Sequence, residues 1–124
     1  KQCDHLIVAV QTDPSIDRPH KNQPVQTVEE RITVLRGIRY VDEVRTYTTE
    51  KELYDMLFLV GPEVRILGAD WKGKRFTGDD LGFPVFYNSR GHEWSSSELR
   101  QRVFDAELRK KVLTRRAKRD IIYK

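Results

Sequence analysis

The chain has 124 residues, of which 38% are hydrophobic and 34% are charged, and its net charge is +4. This length suits one domain, because two domains would be too small to hold separate cores. No apolar run approaches the ~18–20 residues that a membrane span needs. The single cysteine, Cys3, excludes an internal disulfide framework and a multi-cysteine metal site. We therefore expect an intracellular, cytoplasmic protein without a membrane partner.

The positive charge is concentrated at the C-terminal end of the sequence. Residues 104–124 hold eight Lys or Arg and three Asp or Glu, whereas residues 1–103 are nearly neutral. A basic segment of this kind can bind phosphate or nucleic acid, but a solvated helix face explains the same pattern. Because the body is neutral, nucleic acid is not the expected main partner. We predict a domain over residues 1–103 and a basic helical tail over 104–124.

Hydrophobic patterning predicts strands that alternate with helices. Thr27 and Glu30 have the spacing of a capping box, and Gly61 is a helix stop. Ser95 begins a long final helix. The predicted strands cover residues 4–10, 41–47, 64–68 and 84–87, and the predicted helices cover residues 28–40, 50–60 and 96–119. Strands that alternate with crossover helices indicate an α/β fold with a parallel sheet.

In such sheets, ligands bind beyond the carboxyl ends of the strands. The loops after Val10, Gly68 and Tyr87 are therefore the candidate binding loops. The third of these loops contains Arg90, followed by three serines at a helix start. Free amides and hydroxyls there can cradle a phosphate, and ordinary capping by Ser95 explains the same residues equally well.

Five segments in the expected order resemble the cytidylyltransferase family, in particular its glycerol-3-phosphate branch. Residues 39–44 read Arg-Tyr-Val-Asp-Glu-Val, and residues 68–74 read Gly-Ala-Asp-Trp-Lys-Gly-Lys. Residues 90–97 are similar to the Arg-Thr-x-Gly-x-Ser-Thr-Thr segment of that family. Residues 4–13 and the pair Glu30-Arg31 resemble its second strand and the start of the helix that follows. The resemblance spans roughly residues 1–103.

This resemblance implies a Rossmann-like three-layer sandwich with a parallel sheet and, here, a long C-terminal helix. It implies an enzyme that transfers a cytidylyl group from CTP to an alcohol phosphate such as glycerol 3-phosphate and releases pyrophosphate. An adenylyltransferase of the same superfamily is the alternative activity. The family also implies a homodimer and Mg²⁺ bound to the CTP, and we expect no metal site made by protein ligands.

Residue roles follow from the same resemblance. Catalytic roles would fall to Arg90, Ser96 and Lys21, with Lys21 near the phosphate-binding lysine of the family. The nucleotide-binding residues would be Arg39, Asp70, Trp71, Ser95 and Ser96. Arg39, together with Asp42, would lie near the nucleotide or the dimer contact.

One segment of the family pattern is not found in the 124 residues. The family begins with a strand, a His-x-Gly-His motif and a helix, and none of the three histidines here has that context. Because the first strand is central in a doubly wound sheet, the strands at 4–10 and 64–68 would lose a shared neighbour. Three sources could fill the slot: the same protein, another chain, or the strand-like residues 120–124. The chain alone would be catalytically incomplete, and a nucleotide-binding domain without turnover is the alternative.

Overall fold

The computed structural model describes residues 3–89, residue 91 and residues 95–123, with the side chains of the last helix described as far as Arg115. The elements in chain order are β1 (Ile7–Gln11), α1 (Val28–Arg36), β2 (Glu43–Tyr47), α2 (Glu50–Val60), β3 (Arg65–Gly68), β4 (Val85–Asn88) and α3 (Ser96–Tyr123), with 3-10 turns at Ala69–Trp71 and Asp79–Leu81. They group into two compact units that divide between residues 89 and 90. The division into residues 1–103 and 104–124 stays a prediction.

The four strands form two parallel pairs. In one pair β1 lies beside β2, with Val10 opposite Thr46, and in the other β3 lies beside β4, with Leu67 opposite Tyr87. Within the described part of the chain, no strand joins β1 to β3. The α/β class and the parallel direction are confirmed, but the sheet is found only in parts. This separation is the expected result when a strand shared by β1 and β3 is not among the described residues.

Two helices of the first unit, α1 and α2, contact β2 of the β1–β2 pair. The described core is small: Val10, 8% exposed, is its single buried apolar side chain. A two-stranded pair has little stability without further packing. The three-layer arrangement, which needs a continuous sheet, therefore stays a prediction. No helix in the described ranges combines the length and the apolar character needed to cross a membrane.

The capping box at the start of α1 is confirmed. The Thr27 hydroxyl accepts from the Glu30 amide, and the Glu30 carboxylate accepts from the Thr27 amide, each at 3.1 Å. The helix ends at Arg36, earlier than the predicted Tyr40, because Gly37 caps it with bonds to the Thr33 and Val34 carbonyls.

Replacing Thr27 with alanine should lower the free energy of unfolding by about 1 kcal/mol, since the Glu30 amide loses its acceptor. Urea denaturation followed by circular dichroism would measure this change. Thr33→Ala is the matched control, because the Thr33 hydroxyl bonds to the Glu29 carbonyl within the same helix. An equal loss in both variants would contradict the capping role of Thr27.

Helix α2 agrees with its predicted bounds, from Glu50 to Val60, and Gly61 ends it in the left-handed conformation at φ 59°. Helix α3 begins as predicted, with the Ser95 hydroxyl accepting from the Glu98 amide at 3.1 Å. It continues to Tyr123, beyond the predicted Arg119. Residues 120–123 are therefore helical, and they are not the strand that could have filled the sheet. The i to i−4 hydrogen bonds of an already formed helix extend through them at little cost.

Candidate functional site

Polar side chains converge where β1 and β2 end. Gln11, the last residue of β1, is 9% exposed. Its amide nitrogen donates to the Thr48 carbonyl at 3.3 Å, and its amide oxygen accepts from Arg18 at 3.2 Å. The Thr12 hydroxyl donates to the Thr48 hydroxyl at 3.0 Å. This end of the strand pair is thus a hydrogen-bonded polar cluster at the edge where ligands of parallel sheets bind.

Arg31 on α1 holds the chain as it leaves β1. Its guanidinium donates to the Gln11 carbonyl at 2.6 Å and to the Thr12 carbonyl at 2.5 Å. These carbonyls lie where the strand ladder stops, so they need donors from elsewhere. The Nε atoms of Arg31 and Arg18 are buried and have no hydrogen-bond partner within the described residues. Arg31 therefore fixes the direction in which the loop after β1 begins.

The sequence predicted no role for Arg31, which contributed only to the family resemblance of the pair Glu30-Arg31. The position of Arg31 in the helix nevertheless indicates that it has a partner. Arg31 is the fourth residue of α1, and the positive end of a helix dipole disfavours a cation there. Two acidic residues, Glu29 and Glu30, occupy the first turn as the dipole predicts. A basic residue that follows them so closely indicates a partner outside the helix.

Asp13 follows the two carbonyls that Arg31 holds. Its carboxylate accepts from the Ser15 hydroxyl at 2.6 Å and from the Ser15 amide at 2.9 Å. These two bonds, in that order, lower the pKa of Asp13 below its ordinary value, with a smaller contribution from Arg31. Asp13 is therefore an anion at neutral pH, and it orders the turn rather than offering a proton.

The second strand pair ends near Asp70 and Trp71, which were predicted to line the nucleotide pocket. Both residues belong to the 3-10 turn that directly follows β3, and this turn contacts β4. Trp71 is 40% exposed, so part of its ring is open to a ligand. The structure therefore places both residues at the carboxyl end of β3, as predicted. Their role in binding a nucleotide stays a prediction.

A chain of hydrogen bonds at the start of α2 links the two strand pairs. The Asp17 carboxylate, in the loop after β1, accepts from the Glu50 amide at 2.6 Å. The Glu50 carboxylate accepts from the Thr77 hydroxyl at 2.7 Å, and the Thr77 carbonyl accepts from Arg65 of β3 at 2.6 Å. Burial lowers the pKa of Arg65 below its ordinary value. The loops after β1 and β3 are thus coupled through one helix terminus.

Other predicted site residues lie elsewhere in the first unit. Arg39 stacks over the Tyr40 ring, 4.7 Å from its centroid, and donates to the Tyr40 hydroxyl. Asp42, just before β2, accepts from the Leu6 amide at 2.7 Å. Arg39 and Asp42 thus precede β2 and lie at its amino end, away from Gln11. Lys21 is exposed, and its amide donates to the Arg18 carbonyl at 2.9 Å.

The remaining predicted site residues belong to the second unit. Ser95 caps α3 and Ser96 is its first residue. The capping explanation for Ser95 is therefore confirmed, and its phosphate role stays a prediction, as does that of Ser96. Arg90 lies outside the described residues. In the described ranges, no group of three or more His, Cys, Asp or Glu side chains is placed to hold a metal ion.

Comparison with known proteins bears on the class of protein to which the chain is similar. No family model matches the chain. The bifunctional protein HldE of Gluconacetobacter diazotrophicus is 34% identical over 82 residues, which cover 65% of this chain and 17% of that protein. HldE of Wolinella succinogenes is 35% identical over 83 residues, which again cover 65% of this chain and 17% of that protein. The FAD synthase of Thermococcus kodakarensis is 33% identical over 67 residues, or 54% of this chain and 45% of the enzyme.

These relatives support a nucleotidyltransferase-type superfamily for the chain. They agree with the transferase class that the sequence predicts, and a nucleotide is the substrate that this class implies. The chain spans about a sixth of the HldE proteins and less than half of the FAD synthase. The activities of the whole relatives therefore do not transfer directly to this chain.

Proposed function

We propose that this chain forms most of a nucleotidyl-transfer domain. An oxygen of a phosphorylated acceptor attacks the α-phosphorus of a nucleoside triphosphate, the bond to the β-phosphate oxygen breaks, and pyrophosphate leaves. The single observation that carries the proposal is the similarity to an FAD synthase together with the HldE proteins. The polar carboxyl end of β1 and β2 supports it, because ligands of parallel sheets bind at that end.

The identity of the nucleotide rests on two lines of support. The name FAD synthase denotes an enzyme whose product contains an adenine nucleotide, which supports ATP as the donor. The Arg-Tyr-Val-Asp-Glu-Val segment at residues 39–44 supports CTP, with glycerol 3-phosphate as one acceptor. We propose nucleotidyl transfer as the reaction that both lines of support have in common. The binding assay below compares CTP with ATP and so identifies the base. Mg²⁺ would enter with the triphosphate, as part of the substrate.

Charge stabilisation would come from side chains that reach the triphosphate. Little covalent chemistry falls to the protein in such a transfer, so positioning and charge dominate. The family resemblance assigns triphosphate contacts to Arg90, Ser95, Ser96 and Lys21, and it assigns base and sugar contacts to Asp70 and Trp71. Arg39 would act at the nucleotide or at a dimer contact. Its position at the amino end of β2 favours the dimer contact.

The strands form two separate pairs, whereas the family pattern has one continuous sheet. In this proposal a further parallel strand would pair with both β1 and β3, and the family pattern would place its His-x-Gly-His motif directly after that strand. We propose that this strand comes from polypeptide outside residues 1–124, on the same or another chain. The 124 residues would then bind a nucleotide without turning it over.

Calorimetric titration of the chain with MgCTP and MgATP tests this proposal. We expect saturable binding of at least one nucleotide and at least about tenfold weaker binding by Arg90→Ala, since a charged contact to phosphate is lost. Lys51→Ala is the matched control, because Lys51 is an exposed cation on α2. Absence of saturable binding for both nucleotides, or equal losses in the two variants, would contradict the proposal.

A turnover assay separates the enzyme from a binding domain. Pyrophosphate release would be followed with glycerol 3-phosphate and a panel of sugar phosphates, using the chain with and without an added strand–His-x-Gly-His–helix segment. Release that needs the segment supports the transferase. Binding with no release under either condition would support a nucleotide-binding domain without turnover.

A further inference from the structure

Tyr47 is the last residue of β2 and lies beside Gln11 in the parallel register. Paired positions of neighbouring strands point to the same face of a sheet. The Tyr47 side chain therefore lies on the face that carries the Gln11 amide, at the carboxyl edge of the strand pair. Its backbone is fixed there, because the Tyr47 carbonyl accepts from the Thr12 amide at 2.9 Å. The residue is partly buried.

Four charged side chains act on the Tyr47 hydroxyl. They are Asp17 and Arg18 from the loop after β1, Glu50 from the start of α2 and Arg65 from β3. Two of them are positive and two are negative, so their fields oppose one another at the phenol. The hydroxyl thus lies in polar surroundings that combine charges from both strand pairs and that favour neither an anion nor a cation.

The Tyr47 hydroxyl is open to an outside partner. The four charged groups are already hydrogen-bonded within the protein, to Gln11, to the Glu50 amide and to Thr77. Among the described residues, the phenol itself has no hydrogen-bond partner. Burial and, after it, the Glu50 carboxylate raise the pKa of Tyr47 above its ordinary value, so the hydroxyl keeps its proton at neutral pH. One donor and one acceptor therefore remain for a ligand.

An alcohol hydroxyl is the ligand group that suits this position. It donates and accepts one hydrogen bond, as the phenol does, and it is neutral, as the opposed charges require. A phosphate would gain little beside two carboxylates and two guanidiniums. The position also lies at the carboxyl edge of the strands, where ligands of parallel sheets bind.

We infer that Tyr47 determines specificity for the alcohol part of the acceptor, by bonding through its phenol to a free hydroxyl group of a phosphorylated polyol or sugar. The inference rests on the proposed nucleotidyl transfer and names the class of its acceptor. The family resemblance gave Tyr47 no role. Phenylalanine at this position would keep the ring and its packing but would lose the hydrogen bond.

Calorimetric titration of the full chain with glycerol 3-phosphate and with propyl phosphate tests the inference. Propyl phosphate has the same phosphate and the same three-carbon chain but no free hydroxyl. We expect the unchanged chain to prefer glycerol 3-phosphate by at least about fivefold and Tyr47→Phe to lose most of that preference, since one hydrogen bond is removed. The ratio of the two affinities does not depend on the fraction of folded protein. Tyr54→Phe is the matched control, because it removes a phenol hydroxyl that is bonded to Asp80, and it should keep the full preference.

Three results would overturn the role of Tyr47: no preference in the unchanged chain, a preference that survives in Tyr47→Phe, or an equal weakening of both ligands in that variant. Equal weakening would mean that Tyr47 acts on the phosphate or on packing. Tyr47→Phe should bind MgCTP and MgATP as the unchanged chain does. A failure of the acceptor contact is therefore distinguishable from absent nucleotide binding, which would contradict the proposed function.

Discussion

Replacing Arg31 with methionine should lower the free energy of unfolding of the chain by about 2–4 kcal/mol, because two hydrogen bonds from a charged donor are lost. Both bonds end on carbonyls at the end of β1, those of Gln11 and Thr12. Methionine keeps most of the aliphatic volume of the arginine side chain. The loss of stability therefore measures the contribution of the guanidinium group. Urea denaturation would measure the change, and hydrogen exchange of the Thr12 and Ser15 amides would show whether the loop loosens.

Two further variants isolate this effect. Arg31→Lys keeps the charge but offers a single ammonium in place of the planar fork, so we expect an intermediate loss. Arg36→Met removes an exposed guanidinium from the last turn of the same helix, and its cost should stay below about 1 kcal/mol. If Arg31→Met and Arg36→Met cost the same, Arg31 does not hold the loop. The stability readout is independent of any nucleotide, so it does not rest on the proposed function.

Replacing Gly78 with alanine should lower the free energy of unfolding by about 2–3 kcal/mol, from two causes that add. Gly78 has φ +80°, which costs a residue with a Cβ about 1–2 kcal/mol. The new Cβ would also lie 2.8 Å from a methyl of Leu57 and 3.3 Å from a guanidinium nitrogen of Arg65. Both atoms are ends of side chains that can shift, so the overpacking cost should lie at the lower end of the usual range, about 1 kcal/mol. Chemical denaturation monitored by circular dichroism would measure the sum.

Gly82 provides the matched control for Gly78. Its φ is +76°, and an added Cβ would meet nothing within 4 Å. Gly82→Ala should therefore show only the backbone cost, and the difference between the variants is the steric cost. Equal losses would mean that the Gly-rich loop does not pack against Leu57 and Arg65.

The effect of Gly78 reaches the candidate site through Arg65. That arginine bonds to the Thr77 carbonyl, and Thr77 bonds in turn to Glu50 at the start of α2. The Asp17 carboxylate also accepts a hydrogen bond from the Glu50 amide. A shift of the loop at Gly78 would therefore disturb the loop after β1 as well as the turn that carries Trp71. The two candidate binding loops are therefore connected by one chain of hydrogen bonds.

Local signals account for the helices that were predicted most accurately. Thr27 and Glu30 satisfy each other across one turn, and Gly61 ends α2 by adopting a conformation that other residues avoid. Such signals act over a few residues, so they are visible without a tertiary structure. The strand direction also followed from the sequence, because crossover helices make neighbouring strands parallel.

Contacts between distant residues could not be predicted in the same way. Arg31 lies 19 and 20 residues from the carbonyls it holds, and Thr77 lies 27 residues from Glu50. No spacing rule connects positions so far apart, because a long loop can close in many ways at similar entropic cost. The resemblance to a known family identified the candidate residues at 70 and 71, yet it assigned Arg31 no role.

The sequence by itself determined the class of the fold, the order of its elements, the starts of the three helices and the end of α2. Each of these depends on hydrophobic period, capping or turn chemistry within about ten residues. The tertiary structure alone decided that the strands form two separate pairs and that Arg31 anchors the end of β1. It also showed that residues 120–123 are helical. Pairing of strand edges and long-range hydrogen bonds depend on which groups the folded chain brings together, and no local pattern encodes that.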